Sequence, residues 1–150
     1  MLRSLFLLLA LAGTCTLSAQ LSLDGLWEGT ITTGGIESTK GYPMQLYLKR
    51  TGKKVTGRSY VYLSETNIVE MSLEGRLYDD LSIYIDEIEF VNHQEGDPLP
   101  DFLRKYQLIW HRGINGSSIS GYWQEIREEI FDERRERGRI ILKQVINNKA

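Results

Sequence analysis

Apolar and polar side chains alternate every two residues, in short runs, down almost the whole chain beyond residue 20. No other feature constrains the fold as strongly. Successive side chains leave a pleated strand on opposite sides, so period two marks a strand with one buried and one solvated face. Eight runs carry the pattern: 26–32, 42–50, 54–63, 67–77, 81–90, 102–111, 117–124 and 139–145. In the second, Tyr42, Met44, Leu46 and Leu48 share one face and Gln45 and Lys49 the other. Val55, Val61 and Leu63 share a face in the third, and Val69, Met71, Leu73 and Leu77 in the fourth. Leu81, Ile83 and Ile85 follow, then Tyr106, Leu108 and Trp110, then Ile119 and Trp123. Turn residues separate the runs at Thr51-Gly52-Lys53, Asp79-Asp80, Gly96-Asp97-Pro98 and Asn115-Gly116.

Two turns predict registers. A two-residue Asn115-Gly116 turn sets Trp110 opposite Gly121 and Leu108 opposite Trp123. A three-residue loop at 78–80 sets Leu73 opposite Ile85 and Gly75 opposite Ile83. Both join apolar face to apolar face, as paired strands require. Eight sequential hairpin-linked strands predict an all-β fold, an eight-stranded antiparallel up-and-down barrel, because closure removes every exposed edge. A two-sheet sandwich is the alternative. Residues 125–137, EIREEIFDERRER, break the alternation with six acids and four bases. Ile126 and Ile130, four apart, lie on one face of a helix. This reads as a charged helical or loop insert before the last strand, either a solvated segment or a lid beside the barrel mouth. No repeat or low-complexity linker divides the chain, which predicts one domain over 20–150.

The 150 residues suit a single domain, and 41% hydrophobic with 25% charged is an ordinary globular balance. A net charge of −2 lacks the basic excess of a nucleic-acid binder. The first positions differ from the rest. A basic Arg3, the apolar stretch 5–12 and the small residues Leu17-Ser18-Ala19 make residues 1–19 a secretory signal peptide, cut after Ala19. The stretch is too short for a transmembrane span. The chain's one cysteine, Cys15, lies inside that leader, so processing removes any disulfide or thiolate chemistry. The rival reading makes Cys15 the lipidated N-terminus of a lipoprotein, although Leu is missing three places before it. The expected destination is secreted or periplasmic.

Gly25-Leu26-Trp27-Glu28-Gly29, ahead of hairpin-linked strands, resembles the start of the calycins, the lipocalin-like small barrels that include fatty-acid-binding proteins and avidins. Gly25 and Trp27 match the Gly-x-Trp of the first lipocalin strand. Residues 48–57 and 119–123 are similar to the strand–turn–strand rhythm of lipocalin-like domains in secreted Bacteroidetes proteins. The resemblance implies a structural role for Trp27, a ring that plugs the tapering end of the barrel, and a small-ligand-binding function.

Reactive motifs are sparse. The chain has no Gly-x-Ser-x-Gly, and His93 and His111 read as solvated side chains rather than metal or haem ligands. We therefore expect no enzyme, no metal and no cofactor. One polar group stands out. Extending the inward parity of Ile83 and Ile85 turns Glu87 and Glu89 inward, and Arg104 and Tyr106 share the inward parity of Leu108. The predicted register puts Glu89 opposite Arg104 and Glu87 opposite Tyr106. At a wet barrel mouth these four would form a ligand-binding group, and Glu87 would give up its charge at little cost in stability. A bulge that turns Glu87 and Glu89 outward, or a structural ion pair at the rim, is the plainer reading. Tyr47, Tyr60 and Tyr62 fall on the outer face of one hairpin, as cross-strand packing or a contact patch. The expected function is a non-catalytic barrel binding a small apolar or amphiphilic molecule. The alternative is an envelope protein–protein interaction module, inhibitor-like or scaffolding, that uses its outer face and loops. A hollow interior would favour the first and a filled one the second. Three tryptophans point to a filled interior with a shallow mouth.

Overall fold

Each alternating run forms a strand. The computed structural model describes residues 21–93, 96, 99–129 and 134–146. The strands are β1 (Gly25–Thr32), β2 (Gly41–Thr51), β3 (Lys54–Tyr62), β4 (Ile68–Leu77), β5 (Ser82–Val91), β6 (Arg104–His111), β7 (Ser118–Glu125) and β8 (Arg137–Gln144). They pair antiparallel in chain order, and β8 closes on β1 through Trp27↔Gln144 to Ile31↔Ile140. The result is a closed eight-stranded barrel, not a sandwich. Expectations for the leader, for Cys15 and for Asp97-Pro98 lie outside the described residues.

Closing so small a barrel requires sharp coiling, and glycine permits it. Gly29, Gly57, Gly75, Gly121 and Gly138 all occupy inward-parity positions, where a Cβ would overlap a carbonyl oxygen of the neighbouring strand. Gly138 shows the consequence best. The space it leaves admits Trp123, whose Nε1 donates to Thr32 O at 2.7 Å across the β7–β8–β1 closure.

Parity holds along the described strands except beyond Ile88 in β5, while three registers shift by two residues. Along β6 and β7, Leu108 faces Gly121 and Trp110 faces Ile119. The connection is not a two-residue turn. Gly113–Gly116 makes it, with Gly116 N donating to Gly113 O at 3.2 Å and Gly116 at φ 128, and Ser117 O is taken by Gln144 N. Along β4 and β5, Gly75 faces Ile85 and Leu77 faces Ile83. That loop gains a fourth residue because Leu81 adopts φ 67 while Asp80 Oδ1 accepts from both N and Oγ of Ser82. Along β5 and β6, Ile85 faces Tyr106, which carries Glu87 on to Arg104.

Inward side chains of all eight strands make one core, from Trp27 and Ile31 to Ile140 and Leu142. A side chain lining a water-sized void would expose surface to it. Leu46, Met71 and Tyr106 are 0% exposed and Ile85 and Leu108 1%, so the middle of the barrel is filled by its own side chains. The charged insert contains no helix among its described residues. Instead the β7–β8 ladder runs on, with Glu125 N donating to Glu136 O at 2.7 Å. Residues 130–133, including Ile130, lie outside the description.

Candidate functional site

The predicted polar group comes together in part. Opposite Ser72 and Leu73 the β5 register slips by one: Leu73 faces Glu87 and Ser72 faces Glu89, leaving Ile88 as a bulge residue. The extra residue reverses parity between the two acids. Glu87 stays inside and buried, while Glu89 is turned to the exposed outer face and leaves the group.

Inside, the Glu87 carboxylate is filled by donors. Oε2 accepts from Arg104 N at 2.8 Å, and Arg104 Nε donates to Oε1 at 2.9 Å and Oε2 at 3.1 Å. The Tyr106 hydroxyl donates to Oε1. The Arg104 guanidinium lies 5.6 Å over the Trp123 ring, which stacks on Phe102 at 6.1 Å and 9°. Glu125, opposite Arg104 on β7, is also buried; its carboxylate takes the Glu136 N–H and Arg127 Nε. Ser59 Oγ, fully buried, has no hydrogen bond of ordinary geometry among the described residues. Burial alone would lower the pKa of Arg104, but the charges of Tyr106 and Glu87 outweigh it and hold it above its usual value. Burial, reinforced by the neighbouring Glu87 charge, pushes the Tyr106 phenol well above its ordinary 10.0.

The fold holds the Tyr106 proton more tightly than the unfolded chain does. The stabilisation is therefore complete below pH ~10 and is lost as pH rises from there towards the folded value. Denaturant midpoints should fall more steeply with pH above ~10 in the parent than in Tyr106→Phe. Equal slopes would overturn the assignment.

The outer tyrosines lie where parity put them. Tyr47 is exposed, and Tyr60 and Tyr62 are half-buried beside it. Tyr60 packs near Arg58 and Glu70, an ion pair of 2.6 Å. Burial first, then the Glu70 charge, raises the Tyr60 phenol above its usual value.

A concavity beside Pro43 was not among the predicted sites. Pro43 has no N–H for a ladder, and the pairing of β2 with β3 stops one residue short of it, at Met44↔Val61. Beyond that point β2 still follows β1, while Leu63 N and Ser64 N turn to Asn67 O. The two strands part, and a groove of ≈ 700 Å³ opens there, walled by Tyr42, Met44, Gln45, Tyr62 and Leu63, with Glu28 and Glu65 also lining it. A proline inside an alternating run was the available sequence signal. A second hollow of ≈ 400 Å³ lies at the same end of the barrel, between Phe90, Phe102, Leu103 and Glu125. Compared with protein-family models, curated proteins and solved structures, the chain matches none of them.

Proposed function

We propose that this is an exported, non-catalytic β-barrel that binds a small amphiphilic molecule on its open rim rather than inside the barrel. The groove beside Pro43 carries this reading. Its volume falls within the range of small-ligand sites, and its walls are mainly apolar with a few placed polar groups. The filled core leaves the rim as the place for a ligand, and the Glu87–Arg104–Tyr106 cluster holds that end of the barrel in shape. The charged start, apolar stretch and small-residue exit of residues 1–19 support export, so the exported protein should begin at Gln20. A lipid on Cys15 would overturn that part.

The test of the groove is a titration with octyl glucoside, kept below its micelle concentration and followed by amide NMR. Shifts should concentrate at 42–45 and 62–65. Tyr62→Ala, which removes one wall on the outer face, should weaken binding about tenfold. Shifts spread evenly over the barrel would refute the site. Ile109, Tyr122 and Ile141, exposed on adjoining outer rows of β6–β8, favour the second reading, an envelope interaction module.

A further inference from the structure

The groove beside Pro43 has a hydrogen-bond polarity that narrows its ligand, an argument that rests on the reading of that groove as a binding site. The Tyr62 hydroxyl donates to Gln45 Oε1 at 2.8 Å, and Gln45 Nε2 donates to Glu28 Oε1 at 2.7 Å. The direction of this chain is forced, because a carboxylate only accepts and the amide must turn its nitrogen towards it. The phenol proton and one amide proton are thereby spent, and the polar atoms that remain are mostly acceptors. Glu28 Oε2 and the Glu65 carboxylate stand at the groove without an ion pair among the described residues. No Lys, Arg or His lines it among those residues. Lys143 stands next to Glu28 in the β1–β8 register, yet it makes no ion pair with it and does not line the groove. Arg58, on β3, is engaged by Glu70.

We infer that the groove beside Pro43 takes an organic cation, an alkyl or aryl ammonium with its apolar part against Met44 and Leu63 and its charge between the Glu28 and Glu65 carboxylates. The Tyr42 and Tyr62 rings suit the same charge, since an aromatic face attracts a cation through its quadrupole. An anion would meet two carboxylates and few donors. The site would therefore reject fatty acids, although an apolar groove alone would accept them.

The experiment compares three probes with one tail: octyltrimethylammonium, octyl glucoside and octanoate, each below its micelle concentration, by amide NMR. The ammonium should bind about five- to tenfold tighter than the glucoside, the scale of two exposed charge contacts plus a cation–π contact, and octanoate should bind weakest. Glu28→Gln combined with Glu65→Gln should bring the ammonium most of the way down to the glucoside, leaving the cation–π share, and should weaken the ammonium several-fold more than the glucoside. Raising the salt to about 1 M should act in the same direction on the parent, because the contacts are exposed and screened. If octanoate or the glucoside binds as tightly as the ammonium, the charge inference fails while the groove survives. If none of the three shifts residues 42–45 or 62–65, the groove reading itself fails.

Discussion

Trp27→Ala is expected to destabilise the barrel by about 3–5 kcal/mol, the range for deleting a large buried aromatic side chain. The ring is wholly buried near the end where β1 begins, between its cross-strand neighbours Leu46 and Gln144. Its Nε1 donates to Leu23 O at 2.9 Å, and Leu23, just ahead of β1, is itself fully buried. Gln144 Nε2 ties the same segment down through Ser22 O and Asp24 O, and Asp24 Oδ1 accepts Arg50 N at 2.6 Å. Alanine would leave a cavity, orphan the Leu23 carbonyl and loosen the strap that covers this end. Small domains hold only ~5–15 kcal/mol in total, so much of the variant should be unfolded near room temperature or by mild denaturant. Trp27→Phe separates the two losses. It keeps most of the volume and gives up the hydrogen bond, so about 1–3 kcal/mol should be lost. Urea midpoints measure both, and a Trp27→Ala protein as stable as the parent would refute the plug.

The barrel was legible because its signal is parity, and parity survives errors of register. In three hairpins the paired residues differ from expectation by two positions, and an even shift keeps every inward side chain inward. The errors arose at turns, where a left-handed Leu81 and the Gly113–Gly116 turn added residues that residue type alone does not announce. An odd shift is different. The bulge at Ile88 reversed the alternation within one strand, which is why Glu87 and Arg104 were found together while Glu89 was misplaced. The groove was harder still. It depends on two strands parting beyond Pro43, a property of a pair of strands that neither run shows alone.

Arg104→Ala is expected to cost about as much as the loss of Trp27, for a different reason. The side chains of Glu87 and Arg104 are 0% and 6% exposed, so neither charge has water to fall back on. Removing one partner of a buried pair leaves the other uncompensated, at about 3–5 kcal/mol. The same burial overturns the expectation that Glu87 at a wet mouth gives up its charge cheaply: Glu87→Gln should also be strongly destabilising, because it strands the guanidinium over Trp123. The pair as a whole is another matter. Desolvating two charges costs nearly as much as their attraction returns, so an apolar replacement of both, Glu87→Leu with Arg104→Met, should recover most of the single losses and fall short of the parent by about 1–3 kcal/mol, because the buried Tyr106 hydroxyl and the backbone N–H of position 104 lose their acceptor. A double-mutant cycle on denaturant midpoints, with Glu87→Leu and Arg104→Met also made singly, therefore reads two quantities at once. Large single losses that largely cancel in the double variant identify a latch that selects this strand register more than it stabilises the fold. Small single losses would place both groups in water and return the cluster to the rim as a solvated site.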